Sequence, residues 1–146
     1  MNLNINDTSL ITIKESFLEI ADQILNYHIL TVGYNYYRVT TIEFYYFNEN
    51  IHQDYHSHSY SKKKHRAKKR QMLNGEWYLH QENSINDRAR HGIDYTFGNG
   101  VNTGGILIKE VVKLDTDGKP DKDKKPLTQA KFVVELIEVL NPNDEK

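Results

Sequence analysis

Apolar residues first fall into register at Phe17, Ile20, Ala21, Ile24 and Leu25, whose spacings of three and four predict one stripe on a helix from about Ser16 to Asn26. Gly33 separates this helix from Tyr36–Phe47, a run of β-branched and aromatic residues free of Gly and Pro, which predicts a long strand. Alternation puts Val39, Thr41, Glu43, Tyr45 and Phe47 on one face and Arg38, Thr40, Ile42, Phe44 and Tyr46 on the other. Neither face is purely polar, so the strand is expected to be covered on both sides. Asn48 to Asn74 is a polar interlude from which no core is expected. Strand character resumes at Glu76–His80, returns at Gly92–Phe97 after a turn-rich connector from Asn83 to Arg90, and continues at Gly104–Leu114. Asp115 to Lys125, with alternating charge, Pro120 within it and Pro126 directly after it, reads as a mobile loop. The chain closes with Leu127–Leu140, in which Phe132–Ile137 fits helix or strand. Residues 1–12 are also read as mobile, 141–146 as a tail, and there is no internal repeat or heptad.

The 146 residues suit one compact domain. A net charge of −1 argues against a protein that coats polyanions over its whole surface. That balance is uneven: His52 to His91 holds nine positive and four negative residues, a net of +5, which leaves −6 for the rest. With no Cys there is no disulfide framework, zinc ribbon or thiol nucleophile, and the expected compartment is the cytoplasm. No stretch of eighteen apolar residues and no basic start followed by an apolar run are present, so neither membrane nor export is expected.

Three features could carry chemistry. Glu43 is a carboxylate within an apolar aromatic strand, where burial would raise its pKa toward that of a useful general base or acid. The alternative is an ion pair with Arg38 or with a Lys of the neighbouring strand. His52-x-Asp54-x-His56-x-His58 could ligate zinc, iron or manganese, or could supply pocket walls that hydrogen-bond and stack on a flat ring. The third is the basic run, in which Lys62, Lys63, Lys64, Arg66, Lys68, Lys69 and Arg70 place seven cations within nine residues. It would attract a phosphate backbone with a strong salt dependence, or it is a solvated surface loop. Gly98-Asn99-Gly100 and Gly104-Gly105 make no complete phosphate-binding fingerprint and are assigned to turns.

In order and spacing these segments resemble the alkyladenine (3-methyladenine) DNA glycosylase family. Tyr37-Arg38-Val39-Thr40-Thr41-Ile42-Glu43-Phe44-Tyr45 is similar to the family's Arg-Ile-Val-Glu-Thr-Glu-Ala-Tyr, with its second Glu at Glu43 and its Tyr at Tyr45. Tyr55-His56-Ser57 is similar to Ala-His-Ser, a basic stretch follows, and Gly75-Glu76-Trp77-Tyr78 is similar to Gly-Thr-Leu-Tyr. Tyr95-Thr96-Phe97 through Gly104-Gly105-Ile106-Leu107-Ile108-Lys109 is similar to a strand bearing a pocket Asn followed by a strand ending in Leu-Leu-Arg. The resemblance spans about Ser16 to Leu114, and Leu127-Thr128-Gln129-Ala130-Lys131 is faintly similar to the family's Gly-Pro-Ser-Lys element.

The resemblance implies an α+β single domain: a curved, mostly antiparallel sheet with an N-terminal helix packed on it. It also implies a monomeric enzyme that flips a base out of duplex DNA and excises an altered purine, without metal or organic cofactor. Glu43 would deprotonate a water aimed at the anomeric carbon, and Tyr45, His56, His80 and Thr96 would surround the flipped base. Lys109 would approach the phosphates or the water, and Lys62–Arg70 would hold the backbone without reading sequence. Three departures bear on specificity. Thr96 stands at the family's Asn, Lys109 loses an Arg's bidentate bonding, and the family's intercalating Tyr aligns near Ala89, between Arg88 and Arg90. Two alternatives stay open: a non-catalytic module that binds nucleic acid or a nucleotide, and a metal-dependent hydrolase built on His52, Asp54, His56 and His58.

Overall fold

The protein is represented by a computed structural model, which describes residues 3–54, 57, 71–80 and 92–140. Helix α1 (Leu10–Asp22) begins six residues before the apolar stripe suggests, because a capping box starts it. The Ser9 hydroxyl accepts from the Thr12 amide at 3.2 Å, and the Thr12 hydroxyl accepts from the Ser9 amide at 3.0 Å. Thr12 thus does the work usually given to a Glu at this position, so the box is easily passed over in the sequence. The earlier start brings Ile13 onto the buried stripe with Ile20 and Ile24, and the helix ends in a π-helical turn, Gln23–Tyr27.

The strands are β1 (Leu30–Val32), β2 (Asn35–Asn48), β3 (His52–Gln53), β4 (Asn74–His80), β5 (Gly92–Phe97), β6 (Thr103–Leu114) and β7 (Leu127–Thr128). They form one antiparallel sheet in the order β1-β2-β6-β5-β4, with β3 added to β2 and β7 to β6. The sheet curls into a half-barrel with α1 packed on it, a small single α+β domain as the sequence suggests. The short β1 has no counterpart in the sequence reading. It forms a hairpin with β2 through Gly33, whose positive φ of 57° suits glycine.

The ambiguous segment Phe132–Ile137 belongs to a helix, α2 (Gln129–Leu140). Phe132, Val133 and Leu136 are its buried residues, a helical spacing that a strand could not bring to one side. Phe132 packs edge-on against Tyr37 at 5.2 Å, and Glu135 accepts from the Tyr37 hydroxyl at 2.6 Å and pairs with Lys113 at 3.1 Å. On the α1 side, Phe17 stacks on Phe44 at 4.5 Å and meets Tyr46 and Phe97 edge-on. The N-terminal residues carry contacts of their own: Leu3 is buried, and the Asp7 carboxylate accepts from Tyr46, Asn48 and Asn102. Residues 115–126 are also bonded to the sheet, through Leu114 opposite Pro120 and the Asp121 amide on the Lys113 carbonyl. Residues 141–146 lie outside the described residues, and among those described no helix is long and apolar enough to cross a membrane.

Candidate functional site

Register decides which side chains share a face. Glu43 on β2 stands opposite Leu107 on β6, and Leu107 stands opposite Asp94 on β5. The next row is Tyr45, Gly105 and Thr96. Directly paired residues of antiparallel strands project to the same side, so these two rows form one surface. The row between them, Phe44, Ile106 and Tyr95, projects to the opposite side, where α1 covers Phe44. One face of the central strands is therefore apolar and packed against a helix, and the other bears carboxylates, a phenol and a hydroxyl.

On that polar face Lys109 Nζ lies 3.0 Å from Glu43 Oε2. The two side chains are 40% and 46% exposed, so solvent and a ligand can reach both. The burial expected of Glu43 is therefore not found. The ion pair left open by the sequence is the arrangement found, with Lys109 of the adjacent strand and not Arg38 as the partner. Tyr45 lies two residues along β2 on the same face, near enough for its phenol to feel the charge of Glu43. Burial pushes the Tyr45 phenol up, and the negative charges of Glu43, Asp94 and Asp54 push it further. Tyr45 is thus held as a neutral O–H donor throughout the physiological range. Glu43, Tyr45 and Lys109 therefore share one face, with Glu43 and Lys109 in contact.

Beneath them lie two residues that sequence reasoning did not single out. Asp94 and Gln71 are almost wholly buried, and Gln71 Nε2 donates to Asp94 Oδ2 at 3.1 Å. Gly105 makes room for this contact: a Cβ there would stand 3.2 Å from Asp94 Oδ2 and 3.3 Å from Gln71 Nε2. Gln71 belongs to the interlude from which no core was expected, and so does Ser57, which is also buried. Gln71 is held in place because Met72 and Leu73 offer their carbonyls to the amides of Gly100 and Gly98 at 2.9 and 2.8 Å. Asp94 did leave a trace in the sequence: it alternates with Ile93 and Tyr95 in a strand whose apolar residues face the other way. Gln71 left none.

The remaining candidates are placed less centrally. Thr96 lies in the Tyr45 row but is fully buried, and its hydroxyl accepts from the Glu76 amide at 3.0 Å, fixing β4 to β5. His80 closes β4 opposite Gly92, its side chain lying outside the described residues. His52 and Asp54 hold the backbone of Tyr46 from its two ends. The ring Nδ1 bonds the Tyr46 carbonyl at 2.8 Å, so that nitrogen carries the proton, and Asp54 Oδ2 accepts from the Tyr46 amide at 3.3 Å. His56 and His58 lie outside the described residues, as do Lys62, Lys63, Lys64, Arg66, Lys68, Lys69 and Arg70 and the connector with Arg88, Ala89 and Arg90. Among the described residues no three His, Asp or Glu side chains are grouped so as to hold a metal ion.

No protein-family profile, no curated protein and no solved structure matches this chain.

Proposed function

We propose that this chain is a monofunctional N-glycosylase acting on DNA, which flips out an alkylated or otherwise altered purine and hydrolyses its bond to the sugar. The observation that carries the reading is the convergence of Glu43, Tyr45 and Lys109 on one solvent-accessible sheet face. Glu43 takes a proton from a water directed at the anomeric carbon as the glycosidic bond breaks, and the base departs with the bonding electrons. The same carboxylate opposes the positive charge that grows on the sugar, where a preorganised charge acts most strongly. Lys109 pairs with Glu43, fixing its direction, and remains exposed enough to meet a phosphate next to the flipped nucleotide. In this reading Lys62–Arg70 hold the duplex backbone, and Tyr45, His56 and His80 flank the base, with Thr96 fixing the pocket's edge. The chain works as a monomer without a cofactor. The test is base release from alkylated duplex DNA: Glu43→Gln should lower the single-turnover rate by about 10²- to 10⁴-fold. Release by the variant at the wild-type rate, or none by the wild type, rejects the reading.

A second reading keeps the surface and drops the chemistry. Glu43 is engaged by Lys109, as expected of a carboxylate that organises a binding face without deprotonating water. The chain would then be a non-catalytic module for nucleic acid or a nucleotide. It is favoured if affinity for DNA or RNA survives Glu43→Gln but is lost when Lys62, Lys63 and Lys64 are neutralised.

A further inference from the structure

The apolar side of the sheet is wider than the helix packed on it. Register sets Phe44, Ile106, Tyr95 and Trp77 in one row across β2, β6, β5 and β4, on the side away from Glu43. Phe17 of α1 stacks on Phe44 at the start of the row, while Trp77 at its end, the one tryptophan of the chain, is 46% exposed. Past Phe44 the row borders a pocket of about 250 Å³. Its floor is Val39, Ile106 and Ile108, all buried, and one wall is Ile24 and Leu30. The facing wall is Tyr95 and Trp77, whose rings lie 4.7 Å apart and are tilted by 55°. His28 and Ile29, both exposed, complete the mouth.

We infer that this pocket binds a small, uncharged, planar heterocycle of one or two fused rings that carries an N–H donor. At interior packing density the volume holds roughly a dozen heavy atoms, a bicyclic ring but not a nucleotide. Among the described residues no Lys, Arg, Asp or Glu lines it, so an ionised ligand would be desolvated without a partner. Planarity follows from the aromatic wall. A chain of methylenes would be served by the Ile and Leu side chains alone, whereas an indole beside a phenol rewards a flat ring in offset or edge-on contact. The donor follows from His28. Its Nδ1 bonds the Gln23 carbonyl at 2.8 Å, so in the neutral ring Nδ1 carries the proton and Nε2 is an acceptor that no described residue engages. That bond spans the π-helical turn Gln23–Tyr27, a rare geometry that recurs at functional sites, and the turn delivers His28 and Ile29 to the mouth. The pocket lies across the sheet from Glu43 and does not rest on the glycosylase reading.

Trp77 reports on the pocket directly, because a single tryptophan gives a single indole N–H signal in a ¹H–¹⁵N spectrum. At about pH 8, where imidazole is neutral, benzimidazole should shift that signal saturably with a Kd below about 1 mM. N-methylbenzimidazole keeps the rings and loses the donor, and should bind about 3- to 10-fold more weakly. The aliphatic donor n-heptanol, of similar size, should bind at least about 10-fold more weakly. By calorimetry, Trp77→Ala should weaken benzimidazole binding at least about 10-fold, and His28→Phe should abolish the difference between benzimidazole and its N-methyl derivative. If either variant gives no cooperative thermal transition, the three ligands on wild type decide alone. A shift that rises linearly with benzimidazole overturns the inference, as does equal binding of n-heptanol or N-methylbenzimidazole. Unweakened binding by a folded Trp77→Ala protein, or a difference between the two rings that persists in folded His28→Phe, overturns it as well. None of these readouts uses base release, whose absence would reject the glycosylase reading and leave the pocket untouched.

Discussion

Tyr46 and Tyr37 are buried phenols that each donate to a carboxylate, Asp7 at 2.8 Å and Glu135 at 2.6 Å. Burial, then the bond and charge of the carboxylate, lift both phenols well above their ordinary value of 10.0. For a group raised on folding, the stabilisation is complete below the unfolded value and is lost as pH rises above it toward the folded one. Stability in denaturant titrations should therefore hold up to about pH 10 and fall beyond it. Tyr46→Phe and Tyr37→Phe should each flatten that alkaline fall while lowering stability at pH 7 by about 1–3 kcal/mol, because each leaves a partly buried carboxylate with one donor fewer. The Glu43–Lys109 pair is half-exposed, so Lys109→Met should change unfolding free energy by less than about 1 kcal/mol and act on function instead. Legibility at this scale followed chemistry. Glu43 stood out because a charge interrupts an aromatic strand, and its partner was foreseeable as a lysine one strand over. Gln71 was invisible, since a neutral amide after seven cations looks like one more solvated residue until Gly98 and Gly100 bind its neighbours.

At the scale of elements, what was read well is what depends on period alone. The two strands with the clearest β-branched runs, β2 and β6, lie within a residue or so of their expected bounds. The apolar stripe starts six residues after helix α1 does, because the first two turns expose Leu10 and Ile11 and bury only Ile13. Ser9→Ala should accordingly cost about 1 kcal/mol by removing the cap. Phe17→Ala should cost about 3 kcal/mol, since Phe17 joins α1 to Phe44, Tyr46 and Phe97 at once. Urea denaturation checks both, and Phe17→Ala should also lower base release, because Phe44 lies in the strand between Glu43 and Tyr45. The closing helix α2 is ambiguous in sequence because six residues with five apolar positions carry no clear period of their own; Phe132 against Tyr37 and Glu135 on Lys113 settle it through tertiary contact.

For the whole molecule, the near-zero net charge conceals a difference of sign between +5 over His52–His91 and −6 over the remainder. The proposed directional polyanion site predicts a log affinity that falls linearly with log salt. Replacing Lys62, Lys63 and Lys64 by Gln should flatten that slope by up to about 2.7, at about 0.9 for each phosphate no longer neutralised, with no change in melting temperature. An unchanged slope would move the proposed phosphate-binding surface elsewhere.

The pairing of β2 with β6 has a consequence for synthesis. Tyr36 waits for Leu114 and Phe47 for Thr103, so every bond on that edge of β2 joins segments far apart in the chain. While a ribosome extends the intervening residues, an aromatic strand with one open edge is already complete. Such an edge invites pairing with the wrong chain. A chain halted after Asn102 should therefore collect in the insoluble fraction on expression, and one extended through Leu140 should be recovered in solution. Folding of the purified chain should be slow for its size, since ring closure must precede the contacts that reward it.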